Sequence, residues 1–214
     1  MAIGNSLWSV RDVSTGKKGK KGISTRMIAL VAIFFIGIVT VVAIWQLLSQ
    51  QVYYGVWYST PVIRDSKVGI PLDFVSQNKI VYIDVKLSNK TSMEDMLNWA
   101  TSRRLRGTRR EIDTLLYVLG NYPKGRLYLP LLCYQTPSGK IVGALRTCEP
   151  CESFEFRIGG KNLICQRCGT EWKLENLREI AYDRGCGVYP PPELPITVED
   201  ETIWIDISPL TPEG

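Results

Sequence analysis

The chain has 214 residues, 26 Lys and Arg against 21 Asp and Glu, a net charge of +5 and no histidine. That length holds one good domain plus extras. The absence of imidazole excludes His-ligated zinc or haem, blue copper and any Ser-His or Cys-His nucleophile. Residues 1–26 hold six of the basic groups and one acid, which leaves 20 of each sign in the rest. The basicity therefore belongs to a tail, and nucleic-acid binding by the main body has little support.

Residues 1–26, with Gly-Lys-Lys-Gly-Lys-Lys-Gly at 16–22, read as a polar, disordered tail. Met27 to Leu48 follows, 22 residues without a charge. As a helix at about 1.5 Å per residue it reaches roughly 33 Å, enough for a hydrocarbon core of about 30 Å. A buried core helix does not fit a run that is apolar on all sides. A cleaved signal peptide fits poorly, because the run is long and no small-x-small site follows. A lipoprotein anchor would need a cysteine near its end, and none is there. Trp45, Tyr53, Tyr54, Trp57 and Tyr58 resemble an aromatic belt. The basic cluster ahead of the span places the N-terminus in the cytoplasm by the positive-inside rule. The expectation is a single-pass cell-membrane protein in contact with the lipid bilayer, its C-terminal domain extracytoplasmic.

Residues 49–66 read as a stalk and 67–214 as the outer domain. Val68 to Asp73 is a turn into a helical or extended segment, and Ile80 to Leu87 alternates as a β-branched strand. Thr91-Ser92, followed by Glu94 and Asp95, starts a helix with Met93, Met96, Leu97 and Ala100 on its apolar face. Gly107 is expected to interrupt it. A second helix follows from about Arg109 to Leu119, completing a helical insert at about 91–120. Between them lie Arg103, Arg104, Arg106, Arg109 and Arg110. These could contact anionic lipid headgroups or an acidic partner, or pair with Glu94, Asp95, Glu111 and Asp113 at a solvated junction, the plainer reading.

Leu127 to Tyr134 and Lys140 to Leu145 form a hairpin around Thr136-Pro-Ser-Gly139. A smaller one joins Phe154–Ile158 to Asn162–Ile164 through Gly159-Gly160. Trp172 and Leu174 mark a short strand, Asn176 to Tyr182 one or two helical turns, and Thr202 to Ile207 a last strand. The expected class is α+β: one transmembrane helix plus a small, mainly β domain with a zinc-ribbon or rubredoxin-like knuckle.

Five of the six cysteines lie between 148 and 186: Cys148-Glu-Pro-Cys151, Cys165-Gln-Arg-Cys168-Gly169 and Cys186. Two Cys-x-x-Cys turns about a dozen residues apart have the spacing of a four-thiolate metal site. Gly169 suits the left-handed residue such knuckles need. Structural zinc, a single iron, an iron–sulfur cluster and disulfides all remain open. Cys186 is a fifth ligand or a resolving thiol. Cys133, on a strand, reads as a small buried apolar residue.

The order of these elements resembles the family of membrane iron–sulfur-containing FtrD-like proteins. The resemblance rests on Val68-Gly-Ile-Pro-Leu-Asp73, Leu131 to Ile141, the Cys148/Cys151 pair, Gly159 to Cys168, and Gly185-Cys186 followed by Pro190 to Pro195. It covers about residues 66–210. Arg146-Thr147 stands where the family has Asp-Ala, and Gly187-Val188-Tyr189 where it has Asn-Pro. The helical insert is peculiar to this chain. The resemblance implies an anchored extracytoplasmic metal-binding protein associated with iron uptake.

The leading expectation is one metal centre on Cys148, Cys151, Cys165 and Cys168, with Cys186 beside it. Iron or an iron–sulfur cluster is favoured and zinc is the alternative. The protein would act in iron transport or electron transfer within a membrane complex, beside other subunits. The alternatives are an accessory subunit with a zinc staple and, less favoured, a membrane-tethered thiol oxidoreductase. No hydrolase or transferase constellation is visible, so ordinary catalysis is not expected.

Overall fold

The structure, a computed structural model, describes residues 25–49, 51–178, 180 and 185–213. The chain divides into two units, residues 1–47 and 48–214. In the first, helix α1 spans Thr25–Ser49, 25 residues that contain the charge-free run. Its side chains are described for residues 30–46, where Ile33, Phe34, Ile36, Val39 and Trp45 are exposed. Among the described residues no helix is long and apolar enough to cross a membrane. Most of the expected basic tail, residues 1–24, lies outside the described residues.

The second unit begins with short strands β1 (Val52–Tyr54), β2 (Val56–Trp57) and β3 (Val62–Arg64), then β4 (Lys67–Pro71) running into helix α2 (Leu72–Asn78). Strand β5 (Ile80–Lys86) leads to helices α3 (Met93–Ser102) and α4 (Arg109–Gly120). Strands β6 (Tyr128–Gln135) and β7 (Ile141–Leu145) form the expected hairpin, and β8 (Phe156–Gly159) and β9 (Asn162–Cys165) the smaller one. The chain closes with β10 (Glu171–Lys173), β11 (Glu193–Leu194), β12 (Ile196–Glu199) and β13 (Thr202–Asp206). Around the expected turns at 176–182, Leu174 to Asn176 form a turn, while residues 179 and 181–184 lie outside the described residues.

Three sheets result. The central one has the order β11-β7-β6-β5-β2, with β2 parallel to β5 and the rest antiparallel. Strand β6 reads Tyr-Leu-Pro-Leu-Leu-Cys-Tyr-Gln with almost no polar alternation, because both of its faces are covered. Side chains alternate across a strand. Val81, Ile83, Leu129, Leu131 and Cys133 therefore face α2, α3, α4 and the sheet β12-β13-β4-β3. Ile80, Tyr82, Leu132, Tyr134 and Val142 face the third sheet, β1-β8-β9-β10, which carries the cysteine knuckles. Two glycines allow this closeness. A Cβ on Gly143 would lie 2.9 Å from Ile196 and 3.2 Å from Ile205, and one on Gly55 would sit inside the Tyr82 ring.

Both insert helices begin with reciprocal capping boxes, Ser92 with Asp95 and Thr108 with Glu111, which satisfy otherwise orphaned N–H groups. Helix α3 ends at Ser102 and not at Gly107. Arg104 turns left-handed (φ 51°), and the Leu105 N–H donates back to Ala100 O at 3.1 Å, a Schellman-type close. Arg103 then reaches the far end of β13, donating to Ser208 O at 2.8 Å and pairing with Asp206 at 2.9 Å.

Cys133 is fully buried on the face away from the knuckles, and burial pushes its thiol up to about 12. Cys133→Ala should leave metal content unchanged and cost about 1 kcal/mol in thermal unfolding. Burial acts to raise the Asp206 carboxyl, but bonds from Ser208 and Arg103 hold it below its ordinary 3.8. Its stabilisation is present above that unfolded value and fades as pH falls through the lower folded value. Asp206→Asn should therefore flatten the acid side of the stability profile, read from urea midpoints at successive pH values.

Candidate metal centre

Strand β7 delivers the chain through Arg146-Thr147 to Cys148. Glu149–Cys151 then makes a single 3-10 turn, closed by Glu152 in the left-handed region at φ 51°. Cys148 and Ser153 exchange backbone bonds, Cys148 N–H to Ser153 O at 2.8 Å and Ser153 N–H to Cys148 O at 3.2 Å. The β8–β9 hairpin carries the chain out and back, so that Phe156 pairs with Cys165. At the second knuckle Gly169 takes φ +71°, as expected, and its N–H donates to Cys165 O at 2.9 Å. The Gln166 N–H donates to Glu155 O at 2.9 Å and ties one knuckle to the other.

The four paired cysteines converge. All their sulfurs lie within 4.8 Å of one another, with Cys148–Cys168 at 3.9 Å and Cys151–Cys165 at 3.6 Å. Cys148 and Cys165 are buried; Cys151 and Cys168 are partly exposed. None of the six cysteines forms a disulfide. Hydrogen bonding from the Cys148 thiol, helped by the Arg167 and Cys168 N–H groups and Ser153, pulls Cys165 down to about 4 against the effect of burial. Cys148 is pushed up, first by its hydrogen bond to Cys165 and then by burial, while burial pushes Cys151 up to about 12. Cys165 thus holds charge readily, whereas Cys148 and Cys151 need a cation to do so.

Cys186 lies outside this four-sulfur cage but against it. It is buried, and burial followed by contact with Cys168 pushes its thiol up. Its corner is pinned by the buried Trp172, whose Nε1–H donates to Gly187 O at 2.8 Å. The structure therefore brings together four of the five expected site cysteines and places the fifth alongside.

The arginine run divides by role. Arg106 is nearly buried and grips Glu149, the acid inside the first knuckle: Nε to Oε2 at 2.8 Å and Nη2 to Oε1 at 2.5 Å. The same guanidinium donates to Pro190 O at 2.8 Å. Arg109 pairs with Asp113 at the surface, at 2.9 Å, while Arg104 and Arg110 are exposed. The sequence pairs the arginine run with Glu94, Asp95, Glu111 and Asp113 and not with Glu149, which lies 43 positions from Arg106, beyond the reach of local pattern. Arg146 was noted only as a departure from a family pattern. Its guanidinium is buried 4.4 Å from the Trp57 ring and 4.5 Å from the Tyr82 ring. It donates to Asp84 at 2.7 Å and to Phe154 O at 2.8 Å.

Fold and site together define a small, mainly β domain with a cluster of four cysteines that could hold a metal ion. Residues 119–213 match the family described as membrane iron-sulfur containing protein FtrD-like. The expected resemblance holds over that segment, which takes in the β6–β7 hairpin, the five clustered cysteines and the last strand. The match begins at 119, whereas the resemblance had been drawn from residue 66. No curated relative matches the chain.

The family description implies iron and sulfide, and the cage tests that. A metal–sulfur bond of about 2.3 Å gives a tetrahedron with edges of about 3.8 Å, close to both cross-knuckle distances. Two or more bridged irons would hold thiolates on different irons roughly 6 Å apart or more. A single ion fits the residues and a cluster does not.

Arg106→Ala would leave Glu149 charged and buried. It should cost about 3–5 kcal/mol, whereas Arg106→Met with Glu149→Gln should restore most of the loss, measured by urea unfolding of the full-length chain.

Proposed function

We propose that this is a membrane-anchored metal protein whose outer domain, residues 49–214, holds one metal centre on Cys148, Cys151, Cys165 and Cys168. It handles iron or passes electrons as one component of a membrane complex for iron transport. The observation that carries this reading is the cage itself, two of whose sulfurs, Cys151 and Cys168, are partly exposed. A metal there lies one bond from the surface, where a partner can exchange electrons with it. A pure staple has no need of that edge or of the buried thiol of Cys186.

The anchor reading is supported by the charge-free run within a 25-residue helix and by its exposed apolar side chains. The Lys and Arg ahead of it favour a cytoplasmic N-terminus and an extracytoplasmic domain. Arg104 and Arg110, both exposed, are the members of the run suited to contact headgroups or a partner subunit.

A second reading, a zinc staple in an accessory subunit, draws on the Arg106–Glu149–Pro190 tie, which makes the knuckle a structural bolt. A thiol oxidoreductase has less support. Its reactive thiol should be both lowered and accessible, and Cys165, the lowered one, is buried.

The test is elemental analysis and a visible spectrum of the full-length chain, purified anaerobically in detergent. Iron with thiolate charge-transfer bands is the expected result. A colourless protein with stoichiometric zinc would replace this reading with the staple. Metal-free protein with oxidised cysteines would overturn both. Cys186→Ser should retain the metal but change its redox behaviour or release rate, and no change in either would remove Cys186 from the working site. Protease added outside sealed cells or spheroplasts should remove the domain, and complete protection would overturn the topology.

A further inference from the structure

Resting on the reading that these four cysteines hold a metal, we infer that the centre is mononuclear: one thiophilic transition ion in a tetrahedron of sulfurs, without inorganic sulfide. This departs from what the family description suggests. The four sulfurs already lie within 4.8 Å of one another, and two cross-knuckle pairs, at 3.6 and 3.9 Å, lie near the edge of a one-ion tetrahedron. A two-iron cluster would have two cysteines on each iron and sulfides between. A four-iron cube would have one cysteine at each of four corners. Either requires the cage to open.

The surroundings oppose such opening. Cys148 and Cys165, one from each knuckle, are at 0% exposure, packed with Phe156 and Trp172, also at 0%. The knuckles are held to each other by the Gln166 N–H to Glu155 O bond at 2.9 Å, and the first is closed by the Cys148–Ser153 bridge. Behind the first knuckle Glu149 is gripped by Arg106, which also holds Pro190. Spreading the sulfurs would break these ties. Among the described residues, the two clefts that flank the knuckles offer no chamber for sulfide. The cleft at Ser153, Gln166 and Arg167 and the cleft at Glu149, Pro150 and Tyr189 have no cysteine in their walls. Cys186, in contact with Cys168 but outside the cage, is not needed to complete a tetrahedron.

The test is anaerobic reconstitution of the metal-free, full-length protein with ferrous iron alone and with ferrous iron plus sulfide, each followed by iron and acid-labile sulfide assays and Mössbauer spectroscopy. One iron per chain, no sulfide and an isolated high-spin signal in both arms is the expected result. Two or more irons with matching sulfide would overturn the inference while leaving the metal-protein reading intact. A parallel arm with zinc alone that binds one ion, where iron fails to bind, would keep the single-ion geometry and sink the iron-handling reading. Failure of every metal to bind would overturn both. Cys151→Ser, at a partly exposed position, should lower occupancy at least tenfold while the far-ultraviolet spectrum stays native. Unchanged stoichiometry and affinity in that variant would overturn the four-sulfur site.

Discussion

Strand β6 sits between two cores, and most of the outer domain follows from its parity. Leu129, Leu131 and Cys133 face the helices and the β12-β13-β4-β3 sheet, while Leu132 and Tyr134 face the knuckle sheet. A shift of one residue in its pairing with β5 or β7 would exchange the two sets. The register is held by seven opposed residues with β5 and five with β7. Because β7 runs directly into Cys148, that register also sets where the first knuckle begins. The cysteine cage is thus placed by the most deeply buried part of the sheet and not by a loop.

Buried charge does the remaining positioning. Arg146 lies among Trp57, Tyr82 and Tyr122 and is neutralised by Asp84, linking the aromatic segment after α1 to the end of β7. Arg106 links the helical insert to the first knuckle through Glu149, and Arg103 links it to the end of β13. Each pair is costly to desolvate and more costly to break. Such pairs specify one arrangement among several apolar packings. Two of the five clustered arginines thus serve internal geometry, which leaves Arg104, Arg109 and Arg110 at the surface, Arg109 paired with Asp113.

The knuckles combine rigidity with partial exposure. Two sulfurs are sealed in the core beside Phe156 and Trp172 while two are partly exposed, so an ion held by them would be shielded on one side and reachable from the other. Depression of Cys165 beside the raised Cys148 and Cys151 leaves one thiolate ready for a metal ion. Binding such an ion would displace the protons of Cys148 and Cys151, so occupancy would be sensitive to acid.

What the sequence determined alone is local. The Ser92 cap, both hairpins, the two Cys-x-x-Cys turns and the left-handed Gly169 could be read from short stretches, because the backbone preferences that make them act over a few residues. The absence of histidine excluded imidazole ligands and His-assisted nucleophiles before any geometry was known. The contacts that tertiary structure decided join distant segments. Strand β2 lies parallel to β5, and residues 62–71 form one sheet with 196–206. Arg106 meets Glu149 across 43 positions, Arg146 meets Asp84 across 62, and Cys186 stops beside the cage rather than inside it. Short edge strands such as β3 and β11 carry too little pattern of their own to be recognised, since burial against partners far along the chain makes them strands. The dimensions of the sulfur cage belong to the same class. Spacing along the chain shows that four thiolates can meet, but only the packing around them sets how far apart they stand, and so how many metal atoms they can hold.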